Sequence, residues 1–260
     1  HVAGDFHLSC VQPQGTRRRI GVCGTDMHIY QGNQPYFVYP RVMGHELSAE
    51  VVTAPKGSDL KAGDAVYIVP YLHCGHCVAC RAGRTNCCTS LKVLGVHIDG
   101  GMCEYIALPA SALFKAEGIS LDEAAMVEFL AIGAHAVARA GIAPGQRALV
   151  VGTGPIGLGV AIFAQLAGAE VTVLDGRPER LAFCTDVLKV AHAVTLGDGD
   201  EDALRIASAG EFFHHVFDAT GNARAMERSF AFVASGGTLV FVGVRNADIT
   251  FSDPEFHRKE

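Results

Sequence analysis

The segment RALVVGTGPIG, residues 147–157, carries the strongest fold signal in the second half of the chain. An apolar run ends there in Gly152, Gly154 and Gly157, which form the pattern G-x-G-x-x-G at the start of a helical window. Glycines at these places let the backbone turn tightly and approach a pyrophosphate, whose charge is met by the helix N-terminus. The hexapeptide alone is weak evidence, but its place between a strand and a helix favours a dinucleotide site.

Four further apolar runs follow this stretch, and helical windows separate them. The predicted strands are RALVVG (147–152), EVTVLD (170–175), AVTL (193–196), HVFDAT (215–220) and TLVFVG (238–243). The predicted helices between them are PIGLGVAIFAQLAG, RPERLAFCTDVLK, EDALRIASAG and ARAMERSFAFVASGG. Apolar strands alternating with helices indicate a parallel sheet covered on both faces, so we expect a doubly wound α/β domain over residues 136–260.

An acidic residue, Asp175, ends the second of these strands, 18 residues past Gly157. A carboxylate there accepts hydrogen bonds from ribose hydroxyls and repels a 2′-phosphate, so the sequence predicts NAD. The nearby Arg177 and Arg180 are the features that favour NADP instead. The predicted cofactor site also includes Pro155, Ile156 and Arg180.

The first half of the chain has a different pattern, with short runs broken by Gly, Pro and Asp. The runs LSAEVVTA, DAVYIVP and GMCEYIALP predict a small barrel-like β domain, which we place at residues 1–135. A helical window, AAMVEFLAIGAHAVARA, is expected to connect the two halves.

A cysteine-rich segment, CGHCVACRAGRTNCC, occupies residues 74–88. Four of its cysteines follow the spacing C-x2-C-x2-C-x7-C, namely Cys74, Cys77, Cys80 and Cys88. Four thiolates close a tetrahedral zinc site and leave no position for substrate, so this zinc is expected to stabilise the fold. Cys87 could in principle replace Cys88, and His73 and His76 are expected to face solvent.

A catalytic zinc needs other ligands, and the segments GVCGTDMHIY and VMGHELSAE supply candidates. Cys23 and His45 are a thiolate and an imidazole in glycine-containing turns, and the third ligand could be Glu46 or Glu128. Three protein ligands leave one position open for water or an alcohol. An open zinc lowers the pKa of a coordinated hydroxyl towards ~7, which prepares an alcohol to lose a hydride to a nicotinamide.

Composition limits the other functions that can be considered. Lys and Arg total 21 against 27 Asp and Glu, a net charge of −6, which argues against a nucleic-acid or anionic-membrane partner. No apolar stretch reaches the roughly 18 residues of a bilayer span, and no signal peptide is recognised, so a soluble cytoplasmic protein is expected. Nine cysteines then indicate metal ligands or core thiols rather than disulfides.

The segments CGTD, GHE, DGGMCEY and GTGPIG, together with the four-cysteine segment, carry a family resemblance. Over nearly all of residues 20–260 the chain resembles the zinc-dependent medium-chain dehydrogenases, and most closely their polyol and sugar-acid branch. The resemblance implies a GroES-like catalytic domain followed by a Rossmann domain. It also makes Cys23 and His45 ligands of the catalytic zinc, puts Glu128 at the third-ligand position, and makes Glu46 its neighbour and exchange ligand.

The same resemblance assigns roles around the metal. Asp26 is expected to orient His45, and Thr25 and His28 to carry the alcohol proton to solvent. The implied enzyme holds two zinc ions and NAD, and oxidises a secondary hydroxyl of a polyol or sugar acid. The alternatives are a simple alcohol dehydrogenase of the same family and a truncated homologue that binds zinc and NAD without turnover.

The chain departs from the family pattern in two places. Phe129 stands where many polyol relatives have proline after the glutamate, so the loop carrying Glu128 is expected to sit differently. The family usually has a longer β-rich lead-in than HVAGDFHLSCVQPQGTRRRI and continues past DPEFHRKE with a sixth sheet strand. We therefore expect these residues to lack the last strand and to turn over weakly or not at all, the full-length form being a homodimer or homotetramer.

Overall fold

The computed structural model describes the backbone of residues 5–9 and all atoms of residues 19–34, 36–54 and 56–259. The chain forms two compact units, residues 1–128 and 129–260. The division falls inside the helix that follows the β-rich half, and the boundary predicted at residue 135 lies in the same helix. Most of the lead-in at residues 1–20, whose compression the sequence suggested, lies outside the described residues.

The first unit is built on an antiparallel sheet. Its elements in chain order are β1 (Asp5–Ser9), β2 (Arg19–Gly21), α1 (Gly24–Tyr30), β3 (Glu46–Thr53), β4 (Ala65–Ile68), β5 (Tyr71–Leu72), α2 (Val78–Arg81), β6 (Lys92–Val93), β7 (Tyr105–Pro109), β8 (Leu113–Lys115) and the start of α3 (Leu121–Ala140). Strands pair in the order β7-β1-β3-β4-β8, with β2 also on β3, while β5 and β6 form a separate hairpin. The predicted β-rich domain is confirmed.

Strand β3 forms the centre of this sheet because its alternate residues are apolar. Leu47, Ala49 and Val51 are buried and pack with Val66 and Ile68 of β4. Side chains alternate between the faces of a strand, so this period of two directs one face into the core. The strand begins at Glu46, which pairs with Gly21 of β2. The sheet therefore fixes a glutamate and the histidine before it at one end of a buried strand.

The second unit is a parallel sheet with helices between its strands. Its elements are β9 (Arg147–Val151), α4 (Pro155–Leu166), β10 (Glu170–Asp175), α5 (Pro178–Asp186), β11 (His192–Thr195), α6 (Asp200–Ala207), β12 (Phe213–Asp218), α7 (Ala223–Ser229), β13 (Val233–Phe241) and α8 (Asp253–Lys259). Strand order is β11-β10-β9-β12-β13, and every pairing is parallel. The predicted doubly wound α/β domain is confirmed, with its topological switch point between β9 and β12.

One predicted helix was too long. The window ARAMERSFAFVASGG is helical only to Ser229, a short 3-10 turn follows, and β13 begins at Val233. Val233 pairs with Phe213, and the register then shifts, so the residues before Thr238 form an irregular stretch of strand. The ammonium of Lys259 donates to the carbonyl oxygen of Val233 at 2.8 Å. Strand pairing therefore overrides the helical pattern.

Among the described residues, no helix is both long and apolar enough to cross a membrane. The apolar helices of the second unit instead cover its sheet. Phe217 of β12 and Val160 of α4 are fully buried in one cluster, and Leu149 of β9 and Phe213 of β12 in another. This packing fixes the carboxyl ends of β9 and β10, where the glycine loop and Asp175 lie.

Candidate active site

Cys23 lies at the N-terminus of α1 as its capping residue. Its sulfur accepts the backbone N–H of Thr25 at 3.2 Å, and the Oδ2 atom of Asp26 accepts the N–H of Cys23 at 3.1 Å. These two contacts form a reciprocal cap that fixes both side chains relative to the helix. Burial nevertheless raises the pKa of Cys23 to about 11. Its thiol therefore needs a cation before it ionises at neutral pH.

His45 lies between Cys23 and Asp26. Its Nε2 atom is 3.1 Å from the sulfur of Cys23, and its Nδ1 atom is 3.9 Å from Oδ1 of Asp26. Both Nδ1 and Oδ1 are buried, and neither has a hydrogen-bond partner within the described part of the chain. A small approach of these atoms makes Asp26 the acceptor for Nδ1–H. That contact presents Nε2 as the metal-binding nitrogen.

Two glutamates complete this cluster. One ligand atom from each of His45, Glu46 and Glu128 lies within 4.8 Å of the others. Burial, with a further contribution from Glu128, raises the pKa of Glu46 to about 6. Burial also raises the pKa of Glu128. Two carboxylates so close together favour a bound cation, because a cation restores the ionised form of both.

Glu128 lies inside α3, so the expectation that a loop carries it was wrong. The helix runs unbroken past Phe129, which retains the backbone N–H that a proline would lack. On this helix Oε1 of Glu128 accepts a hydrogen bond from the hydroxyl of Tyr71. Burial, then the adjacent Glu128 carboxylate, raises the pKa of Tyr71, which keeps its phenol protonated.

Glycines allow the segments of this site to approach one another. A Cβ atom on Gly21 would collide with Oε2 of Glu46 and lie 2.8 Å from its Cβ. A Cβ atom on Gly101 would lie 2.5 Å from a methyl carbon of Leu47. Backbone N–H groups of the GGM segment donate to the turn before His45. One of these hydrogen bonds runs from the N–H of Gly101 to the carbonyl oxygen of Gly44 at 2.9 Å. The motifs GHE and DGGMCEY therefore lie against each other with their backbones in close contact.

The four predicted structural cysteines come together in a second cluster. One sulfur from each of Cys74, Cys77, Cys80 and Cys88 lies within 4.8 Å of the others. Cys87 is exposed and stays outside this cluster, and His73 and His76 are exposed as expected. Backbone N–H groups, first that of Cys80, lower the pKa of Cys77 to about 5, whereas partial burial raises the pKa of Cys80 to about 12.

Both clusters fit zinc by their donor atoms and spacing. The sulfurs of Cys74 and Cys80 are 4.0 Å apart, and two thiolates on a tetrahedral zinc are separated by about 3.8 Å. The sulfur of Cys23 and Nε2 of His45 need to separate from 3.1 Å to about 3.6 Å to bind one zinc ion. Thiolates, imidazole and carboxylate are the donors that zinc takes in proteins.

The glycine-rich loop has the geometry of a dinucleotide site. Gly152 has φ +88°, and a Cβ atom on Gly157 would collide with the carbonyl oxygen of Gly152. Gly154 caps α4, which begins at Pro155 and Ile156. A cavity of about 560 Å³ opens beside this loop and is lined in part by Gly154 and Arg180. The loop therefore brings backbone close to a ligand at a helix N-terminus.

Asp175 lies at the wall of this cavity and is already partly engaged. Its Oδ2 atom accepts from the N–H of Thr153 at 2.7 Å and from its hydroxyl at 2.8 Å, and Oδ1 accepts from the N–H of Arg177 at 2.9 Å. Burial opposes ionisation, but these donors and Arg180, 3.6 Å away, lower the pKa of Asp175. An ionised carboxylate oxygen has two acceptor positions, so Oδ1 keeps one for a ribose hydroxyl.

The predicted proton relay lies on the exposed side of α1. Thr25 is partly buried and His28 is exposed, and Nδ1 of His28 is 2.9 Å from Oδ1 of Asn33. This acceptor favours the ring tautomer with a proton on Nδ1, which leaves Nε2 free to accept one. Asn33, Tyr71, Thr153 and Gly21 were not identified from the sequence. Only Thr153, inside the glycine motif, carried a signal that could have found it.

Comparisons with known proteins agree with this arrangement. Residues 17–118 match the alcohol dehydrogenase GroES-like domain, and residues 155–260 match the zinc-binding dehydrogenase family. The chain is 46% identical to L-galactonate-5-dehydrogenase of Escherichia coli K12, over 94% of this chain and 72% of that protein. The chain belongs to the zinc-binding alcohol dehydrogenase family.

Two further relatives of this zinc-binding dehydrogenase carry information on ligands. D-altritol 5-dehydrogenase of Agrobacterium fabrum is 37% identical over 91% of this chain and 70% of that protein. An alcohol dehydrogenase of Escherichia coli CFT073, solved with NADH, superposes with a TM-score of 0.87 at 27% identity, over 99% of this chain and 74% of that chain. The chain is accordingly an oxidoreductase of a family that uses zinc and a nicotinamide dinucleotide.

Gly21→Ala is predicted to weaken metal binding at the Cys23–His45 cluster. The new methyl group occupies the space of the Glu46 carboxylate and displaces it, so zinc affinity there should fall by about tenfold or more. Gly24→Ala is the matched control, because no heavy atom lies within 4 Å of a Cβ atom at that position. Chelator competition monitors both variants. Equal zinc affinities in the two would contradict this account.

Zinc binding at the same cluster is predicted to depend on pH through Glu46. The pKa of this carboxyl group in the folded protein is about 6, above its ordinary 4.5, so below pH 6 zinc must displace a proton from it. The test uses protein whose four-cysteine cluster already holds zinc. In a plot of the logarithm of zinc affinity against pH, the slope should be larger below pH 6 than above it, by about one.

The control is Glu46→Gln, which should bind zinc more weakly and lose the extra slope. Without metal, the raised pKa also makes wild-type folding less favourable as the pH rises from 4.5 to above 6, because the folded state then gives up a proton it binds more tightly than the unfolded chain. An unchanged slope in the variant would show that Glu46 does not titrate in this window.

Proposed function

We propose that this chain oxidises a secondary hydroxyl of a polyol or sugar acid with NAD, at a zinc held by Cys23, His45 and a glutamate. The proposal rests on two overlapping groups of possible metal ligands that share His45, one with Cys23 and Asp26 and one with Glu46 and Glu128, in a member of the zinc-binding dehydrogenase family. Three protein ligands leave one position for the substrate oxygen, as in other catalytic zinc sites.

The chemistry of the bound groups is general. Zinc acts as a Lewis acid that lowers the pKa of the substrate hydroxyl, and NAD accepts the hydride. Cys23 and His45 hold the metal, and Glu46 or Glu128 supplies the third ligand. Asp26 orients His45, since its second oxygen is fixed by the N–H of Cys23.

Two residues are proposed to carry the proton of the alcohol. Thr25 lies two residues after Cys23 in the chain, and its hydroxyl is proposed to accept the proton first. His28 lies one turn further along α1 and is exposed, so its free Nε2 passes the proton to solvent. This direction follows from the hydrogen bond to Asn33, which occupies Nδ1.

The four-cysteine cluster is proposed to hold a second zinc with a structural role. Its four donors close the coordination sphere, and Cys88 is buried while the other three are partly buried. Four backbone N–H groups of residues 74–90 donate to these sulfurs, including those from Cys77 to Cys74 at 3.4 Å and from Cys74 to Cys88 at 3.3 Å. These donors favour thiolates, which zinc requires.

The substrate class is proposed from the polarity of the metal site and from the relatives. Glu46 and Glu128 give the site two acceptor groups, which suit a molecule with several hydroxyl donors better than a short alcohol. The names of the two similar enzymes above, a galactonate and an altritol dehydrogenase, support the same class. A homodimer or homotetramer, which the family resemblance implies, is proposed as the assembly.

NAD is proposed as the preferred cofactor. Asp175 is ionised, and its remaining acceptor position suits a ribose hydroxyl, whereas a 2′-phosphate would be repelled. Arg180 is already 3.6 Å from this carboxylate, which partly neutralises its charge and leaves it less available to a phosphate. Arg228 also lines this cavity, and it pairs with Asp200, so its charge is likewise less available to a phosphate.

A substrate panel is the test. Alditols, aldonates and short primary alcohols are compared by kcat/KM with NAD and with NADP. We expect the highest kcat/KM for a polyhydroxylated substrate with NAD, loss of turnover in Cys23→Ser, and retained turnover in the control Cys103→Ser. A higher kcat/KM for short primary alcohols contradicts the substrate class, and a preference for NADP contradicts the reading of Asp175.

A further inference from the structure

Tyr71 connects the two zinc-binding regions of the first unit. Tyr71 lies three residues before Cys74. It forms β5 with Leu72 and pairs with Val93 of β6. Its hydroxyl donates to Oε1 of Glu128, 57 residues further along the chain. A strand leading into the structural cluster therefore contacts a carboxylate of the catalytic cluster.

The direction of this hydrogen bond limits what Glu128 can do. An ionised carboxylate only accepts hydrogen bonds, so the phenol is the donor and Oε1 is partly used. Oε2 takes no part in this hydrogen bond, and one of the two Glu128 oxygens lies within 4.8 Å of ligand atoms of His45 and Glu46. Glu46 is positioned in another way. Its side chain occupies the space that a Cβ atom on Gly21 would fill.

We propose that Tyr71 is a positioning residue of the catalytic metal centre, which ties Glu128 by one oxygen so that this carboxylate presents the other, in a fixed orientation, to the metal. The proposal rests on the proposed function in that it takes the Cys23–His45 cluster to be a metal centre. Two flexible carboxylates competing for one cation would lose side-chain freedom on binding. Fixing one of them in advance reduces that loss.

The strand pairing of Tyr71 supports this role. A side chain on a paired strand next to the four-cysteine segment has less freedom than one on a loop, so it can hold Glu128 in one place. A group that orients a metal ligand through a hydrogen bond commonly changes metal affinity by about 10–100-fold when removed. Tyr71→Phe removes one oxygen atom and retains the ring, which makes it a clean test of this contact.

The experiment measures metal binding rather than turnover. The four-cysteine cluster is first loaded with zinc, and Co²⁺ is then titrated into the Cys23–His45 cluster against a chelator while its visible absorption bands are recorded. Tyr71→Phe should bind Co²⁺ about tenfold more weakly and shift those bands. Tyr67→Phe is the matched control, since this tyrosine in β4 stacks on Phe114 at 5.4 Å and should bind Co²⁺ as the wild type does.

A double-mutant cycle separates positioning from general stabilisation. In a Glu128→Ala background, Tyr71→Phe should cause no further loss of Co²⁺ affinity, because the group that it positions is gone. Glu128→Gln retains an acceptor for the phenol, so Tyr71→Phe should still shift the Co²⁺ bands there. An unchanged affinity and spectrum in Tyr71→Phe, or an equal loss in the Glu128→Ala background, would overturn the proposal.

The outcome is independent of substrate. If the cycle behaves as expected and no dehydrogenase substrate is found, the proposed function fails while the role of Tyr71 stands. If a polyol is oxidised by wild type and Tyr71→Phe binds Co²⁺ normally, the role of Tyr71 fails alone.

Discussion

The first unit depends on the cost of burying groups that carry or acquire negative charge. Burial raises the pKa of Cys23, Glu46 and Glu128 in one cluster, and that of Cys80 in the other. Such groups either retain their protons or pair with a cation. A zinc ion in each cluster, as proposed above, would change this cost into a stabilising interaction, because metal binding and folding share one free energy. The two clusters are therefore the places where this unit gains most from a bound metal ion.

Small residues and backbone contacts make room for these centres. Gly21 lets the Glu46 side chain lie against β2, and the DGGM segment bonds to the backbone next to His45. The cap of α1 fixes Cys23 and Asp26 together. In the second unit Gly157 lies against the carbonyl of Gly152, and Asp175 is held by Thr153. In each unit, close backbone approach fixes the groups that carry the chemistry.

Much of this arrangement could be predicted from sequence, because local spacing encodes it. The four cysteines lie within fifteen residues, and the glycine loop follows a strand directly. The contact of Tyr71 with Glu128 could not be predicted, since it joins distant segments and no spacing rule relates them. The family pattern led us to expect a loop at Glu128, although the helical window AAMVEFLAIGAHAVARA already covers this residue, and α3 follows that local pattern. The start of β13 was missed because its irregular residues resemble a helix end, and pairing with β12 decided that case.

The zinc content of purified wild type, Cys23→Ser and Cys74→Ser distinguishes two metal centres with different roles from a single one. Two centres with different roles predict about two zinc equivalents in wild type. Cys23→Ser should retain about one equivalent and a near-normal unfolding transition, whereas Cys74→Ser should also lose one equivalent but unfold much more easily. Wild-type protein with a single equivalent, or two variants of equal stability, would contradict the account.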